Sequence, residues 1–304
     1  MTPITQTNLY ELGRELDNLI NLYKKKILPN KILLSGQKGI GKATMAYHFI
    51  NYILSENEEF TYDIQNYKIN KYNKNYKLIQ NKTNPNFISI DVLDEKKKID
   101  IQQIRNLIIN LNKSSFNQKP RIVLIDNIEL LNINSINALL KTLEEPGNNI
   151  IFILINNNKK ILETLKSRCI NFNIFLTNNQ SNKVLKKLIS NEKYNLLHQD
   201  LLNYYITPGK IFNLVKFSEE NNIDLVGMNL KELLSFIINK SLYKTDSYIK
   251  NYIYELIEVF ISRNISYKSF EFFNHFTNKI NNIKKFNLNE ESLFLEFYEK
   301  VLNG

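Results

Sequence analysis

The stretch "KILLSGQKGIGKATMAYHFINYIL" (31–54) constrains the fold more than any other part of the chain. A short apolar run ends in Gly36. Gly39 and Gly41 follow, and Lys42 opens a segment with Met45, Ala46, Phe49, Ile50 and Ile53 at helical spacing. Strand, glycine turn and helix form the setting in which backbone N–H groups and a helix N-terminus are aimed at a phosphate. Gly36, Gly41 and Lys42 keep the register G-x-x-x-x-G-K-[ST], but the hydroxyl position holds Ala43. Thr44 comes one place late, roughly 100° further around the helix, so it cannot simply replace the missing magnesium ligand. The plain alternative is a glycine-rich strand-to-helix turn that holds no ligand. ATP is a candidate cofactor, and the sequence leaves its binding open.

The rest of 1–175 supplies partners for that strand. "FISIDVL" (87–93) has strand alternation, while "RIVLID" (121–126) and "IIFILI" (150–155) are near-continuous apolar runs of the kind buried on both faces. Helical spacing predicts helices over 8–28, 99–112, 133–144 (stopped by Pro146-Gly147) and 159–169, the last leading to "INFNIF". The expected architecture is an α/β, doubly wound, mostly parallel sheet. The segment 55–86 has low complexity and reads as a loop-rich, partly mobile insertion. Beyond 176 the spacing is helical to the end. This suggests a small helical domain over 176–218 and a helical bundle over 219–304.

Candidate chemistry is sparse. Asp126, at the end of a central strand, lies where a magnesium-coordinating acid would sit, or else is an ordinary strand-end acid. The glutamate expected next to it is Asn127, whose amide is no base near neutral pH. Glu129 is expected to face elsewhere. Arg168 in "SRC" (167–169) is permanently charged and could grip a phosphate bidentately, or serve as a surface ion-pairing residue. The single cysteine, Cys169, excludes an internal disulfide and a cysteine zinc cluster, and His48, His198 and His275 have no ligand spacing; no metal site is expected. A net charge of +10 is compatible with a polyanionic partner, though Asn, Lys, Ile and Tyr crowd the whole chain. No signal peptide or apolar segment long enough to span a membrane is read, which fits the cytoplasm.

Taken together, "GQKGIGKATMAY", "IDIQQIRNLI", "RIVLIDNIELLNINSINALLKTLEEPGNNIIFILI" and "LETLKSRC" resemble the clamp-loader branch of the AAA+ proteins. The likeness is good over about 28–175, and fainter echoes are "NPNF" (84–87), "YYITPGK" (204–210) and 286–302. It implies an AAA+ core over 1–175, a small lid over 176–218 and a helical collar over 219–304 that holds a five-subunit ring. It also implies that Arg168 reaches a neighbouring subunit's ATP site as an arginine finger, and that Asn156 occupies the sensor position on its strand. Gly36, Gly39, Gly41, Lys42, Thr44, Asp126 and Asn156 would then be the nucleotide-binding set. Ala43, Asn127 and the lack of an evident second sensor arginine (Lys210 stands near that place) favour a non-hydrolysing stator over a motor subunit. The insertion 55–86 stands where relatives carry a zinc module. The partners implied are the other loader subunits, a sliding clamp and primed DNA. The competing readings are an autonomous AAA+ ATPase and a DNA-binding module with a vestigial loop.

Overall fold

The computed structural model describes residues 2–93, 96, 98–113, 117–145, 147, 149–202, 207–263, 270–286 and 288–303. They form two compact units, one of 1–184 with 207–210 and one of 185–206 with 211–304.

The first unit is built on five strands: β1 (Lys31–Ser35), β2 (Phe87–Ile90), β3 (Arg121–Ile125), β4 (Ile150–Asn156) and β5 (Ile170–Asn173). They pair in parallel in the order β2-β3-β4-β1-β5, with Leu33 opposite Leu154 and Val123 opposite Phe152. The period of two sorts the central strands between two cores. Ile151, Ile153 and Ile155 pack on one face with Ile32, Leu34, Ile122 and Leu124; Phe152 and Leu154 pack on the other with Leu33, Val123 and Ile125. Each fully buried side chain of this kind stabilises the fold by roughly 1.5–3 kcal/mol. β5 carries Asn171 and Asn173 and is largely exposed, as suits an edge strand.

Helices α1 (Gly13–Lys24) and α2 (Lys42–Leu54) bury their apolar sides in the first core, while α4 (Ile101–Leu111), α5 (Ile133–Glu144) and α6 (Glu163–Lys166) serve the second; the short α3 (Lys74–Gln80) precedes β2. α2 and α5 have the bounds that the spacing predicts. α1 is shorter than 8–28 because Glu11 and Lys26 adopt positive φ (57° and 58°), which breaks the helix at both ends although Leu9 and Leu12 remain buried. The helix expected over 159–169 shrinks to one turn, since Leu162 is extended at its N-cap. α4 starts with a capping box formed by Asp100 and Gln103. Pro146, expected to stop α5, lies outside the described residues.

The insertion 55–86 is turns and loop apart from α3, as its composition predicts, but it is packed against the first core. Tyr62, Ile69, Tyr76 and Ile79 are buried in the first core. Asn73 caps α3 by accepting from the Tyr76 N–H (2.8 Å) and donates to the Phe60 carbonyl (2.8 Å) and to Glu58 (2.8 Å). Asn75 donates to the Leu54 carbonyl (2.8 Å) and to Glu58. Polar residues that look like loop filler hold the segment by satisfying its backbone groups.

The second unit is helical: α8 (Asn191–Leu196), α9 (Gln199–Leu202), α11 (Leu230–Asn239), α12 (Leu242–Thr245), α13 (Ser247–Arg263), α14 (Phe270–Phe286) and α15 (Glu291–Phe297). α7 (Asn178–Ile189) and α10 (Pro208–Glu220) each contribute residues to both units. Leu233, Leu234, Ile237, Ile253, Phe276, Phe294 and Phe297 lie in the core of the second unit. Among the described residues, no helix is long and apolar enough to cross a membrane.

Candidate nucleotide-loop site

In a parallel sheet, loops that leave the carboxyl ends of adjacent strands come together. β3, β4 and β1 are neighbours, so their ends bring Asp126, the pair Asn156-Asn157 and the loop 36–41 to one place. Gly41 is the N-cap residue of α2, and the Gly36 N–H donates to the Asn156 carbonyl (3.2 Å).

Lys42 does not project outward. It is 3% exposed, and Nζ donates to the carbonyls of Gly36 (2.8 Å) and Gln37 (2.7 Å) and to Asn157 Oδ1 (3.0 Å). An ammonium has three donors, and these contacts engage all of them. Burial pulls its pKa down to about 8, against the opposing pull of Asp126 and Glu129. Burial, together with the charge of Asp91, raises Asp126 to about 6, although its Oδ1 accepts from the Asn127 N–H (2.8 Å).

Asn127 has φ 53°, a left-handed conformation that asparagine tolerates, and a 3₁₀ turn over Ile128–Leu130 follows. This turn sends Glu129 toward the site, contrary to the expectation from sequence. Glu129 accepts from the Asn157 side chain (3.0 Å) and backbone N–H (3.3 Å). Asn127 donates to Asp91 (2.7 Å) and accepts from Asn157 (2.9 Å), so both ends of its amide are used.

Asn156 is brought to the site by its backbone, but its side chain turns back to pair with the Lys159 backbone (3.0 and 3.3 Å). The residue that touches Lys42, Asn127 and Glu129 is Asn157, which sequence reasoning missed. Strand alternation ends at Asn156, and nothing in the sequence says which of two adjacent asparagines faces inward. Thr44 is half-buried on α2, and Ala43 packs against the first core.

Residues 207–210 close over the loop. Thr207 Oγ1 donates to the Lys38 carbonyl (2.6 Å), and the Gly209 N–H donates to the Gly39 carbonyl (2.9 Å). A Cβ on Gly209 would lie 2.8 Å from the Gly39 oxygen. One on Gly39, where φ is +89°, would lie 2.4 Å from Thr207 Oγ1. Gly39→Ala is expected to destabilise the chain by roughly 1–3 kcal/mol through backbone strain. A urea midpoint equal to that of the parent would refute this.

The residues therefore do not fit a magnesium nucleotide in this arrangement. Lysine's donors are used, the hydroxyl is absent, and backbone lies against Gly39.

Arg168 is elsewhere in the first unit, just after α6. Its Nε (3.0 Å) and Nη2 both donate to Glu144 Oε1, and Nη1 donates to the Thr164 carbonyl (2.6 Å). Its side chain is 32% exposed. Cys169 beside it is buried, which pushes its thiol up to about 11, so it is no thiolate nucleophile at neutral pH. No group of His, Cys, Asp and Glu suited to a metal ion occurs among the described residues.

Fold and site together define a P-loop core of the AAA+ kind whose hydrolytic positions are paired among themselves and whose SRC arginine is partly open to solvent. The chain belongs to the family described as DNA polymerase III, delta subunit, whose model matches residues 13–178. It is 30% identical over 139 residues to the DNA polymerase III subunit delta' of Pseudomonas aeruginosa, covering 45% of this chain and 40% of that protein. Against the subunit gamma of Buchnera aphidicola from Schizaphis graminum, identity is 29% over 233 residues, covering 71% and 61%. Against the subunit delta' of Buchnera aphidicola from Baizongia pistaciae, it is 29% over 252 residues, covering 71% and 72%. A gamma subunit-related protein from Thermotoga maritima superposes with a TM-score of 0.48 at 18% identity, over 92% of this chain and 96% of that one. The family assignment rests on sequence. The matched segments span 40% and 61% of the first two relatives.

Proposed function

We propose that this chain is a non-hydrolysing, delta'-type stator of a DNA polymerase III clamp loader. It acts in the cytoplasm within a hetero-oligomeric ring that places a sliding clamp on primed DNA. Its part in catalysis is to offer Arg168 to the ATP site of a neighbouring subunit, where a guanidinium stabilises the charge that develops on the transferred phosphoryl group. The nucleotide loop of this chain serves as a fold element that fixes β1, β4 and residues 207–210.

The observation that carries this reading is the contrast between two cations. Lys42 is buried with its three donors engaged by protein oxygens, whereas Arg168 is held at the surface with N–H groups to spare. The same contrast argues against an autonomous ATPase, since Lys42 would first have to leave its three acceptors.

The test compares the purified chain with the complex reconstituted from this chain, its cognate motor subunits, clamp and primed DNA. The chain alone is expected to turn over no ATP above background, and its addition is expected to raise the DNA-stimulated ATPase of the motor subunits. Turnover by the isolated chain that Lys42→Ala abolishes would establish the autonomous enzyme instead.

A further inference from the structure

Glu144 and Arg168 are 24 residues apart and both lie beside buried anchors. Glu144 is the last residue of α5, next to the fully buried Leu143, whose carbonyl accepts from Lys31 Nζ (3.0 Å). Arg168 leaves the single turn of α6 between the buried Leu165 and Cys169. Both side chains therefore spring from fixed backbone, and the ion pair joins two packed elements rather than two loose ends.

We infer that Glu144 is a positioning residue for Arg168, an inference that rests on the proposed role of that arginine. A guanidinium has five N–H groups in one plane. Nε and one Nη2 hydrogen face Glu144 Oε1, and one Nη1 hydrogen faces the Thr164 carbonyl. Two contacts on one edge and a third from Nη1 fix both the position and the plane of the group. One N–H on each terminal nitrogen is left to donate to phosphate oxygens. An arginine held in this way has its rotamers selected before it meets the neighbour's site, so little ordering remains to be done on assembly.

The opposite role, a carboxylate that restrains the arginine by charge, is weaker on magnitude. Glu144 is 52% exposed and Arg168 32%, and attraction between exposed charges is modest and screened. The geometric effect is the larger one.

The test uses the reconstituted complex with Glu144→Ala, Glu144→Gln and Arg168→Ala, alone and combined. Glu144→Ala is expected to lower the kcat of the affected ATP site about 10-fold with little change in the KM for ATP. Glu144→Gln keeps an oxygen acceptor for Nε and Nη2, and is expected to recover to within roughly 3-fold of the parent. In the Arg168→Ala background, Glu144→Ala is expected to add nothing, because a positioning residue has no work without the group it positions. A further loss in that background would mean a merely structural role and overturn the inference, as would a rise in kcat for Glu144→Ala alone. If Arg168→Ala itself has no effect, the underlying reading fails. If Arg168→Ala is severe and Glu144→Ala is silent, only the inference fails.

Discussion

Replacing Arg168 by alanine is expected to lower the DNA-stimulated ATPase of the reconstituted complex by about 10³-fold at the affected site, with the fold of the chain unchanged. The loss belongs to the transition state, where charge spreads over the phosphoryl oxygens, so kcat falls further than affinity for ATP. Stability is spared because the pair it breaks, with Glu144, is partly exposed and contributes little to folding. Arg168→Lys restores the charge but neither the fork nor an Nε–H for Glu144, and is expected to recover only a small part of the rate. An ATPase that Arg168→Ala leaves unchanged, in a complex of normal composition, would remove the arginine from the mechanism.

The second large effect is on stability and depends on pH. His48 lies on α2 with no exposed surface, between the N-terminal segment and the insertion. Its Nε2 lies 3.1 Å from the Gln6 carbonyl, which can only accept, so Nε2 carries the proton and Nδ1 accepts from the Tyr62 hydroxyl (2.9 Å). Burial holds the imidazole neutral and lowers its pKa from 6.5 to about 4, with the Gln6 carbonyl acting the other way. The unfolded chain therefore takes up this proton first. The stability it represents is fully present above about pH 6.5 and is lost as pH falls toward 4, about 3 kcal/mol in all.

Asp126 has the opposite sign. Its raised pKa, about 6, makes the folded chain more stable where it is protonated, an advantage that fades as pH rises through that value. Urea unfolding of the parent and of His48→Gln, which keeps a donor for the Gln6 carbonyl, separates the two. The parent is expected to lose stability on acidification more steeply than the variant, by about 1.2 kcal/mol per pH unit between about pH 6 and 4.5. Equal slopes would mean that His48 protonates in the folded chain without penalty.

Much of the fold was legible in the sequence because its central elements are regular. The apolar runs of β3 and β4 are short and rich in β-branched residues and so read as two-sided strands, and α2 and α5 begin and end where their periodicity does. The insertion was legible as loop-rich, but its anchoring was not, because that comes from asparagine side chains bonded to backbone and from scattered apolar residues, which composition does not reveal. The site was legible as a set of losses, Ala43 and Asn127. It was not legible as a geometry. Glu129 was expected to face away, and Asn157 was passed over for Asn156.

The sequence by itself determined that a glycine loop joins a buried strand to a helix, that the magnesium hydroxyl and the hydrolytic glutamate are missing, and that an SRC arginine is kept. Those are matters of residue identity and of period, which a chain carries locally. Only the tertiary structure decided where the cations point. The direction of Glu129 depends on a positive φ at Asn127, the closing of residues 207–210 over Gly39 on a contact about 170 residues away in sequence, and the plane of Arg168 on a carboxylate at the end of α5. Side-chain direction at loop positions is set by such long-range contacts, and no periodicity encodes them.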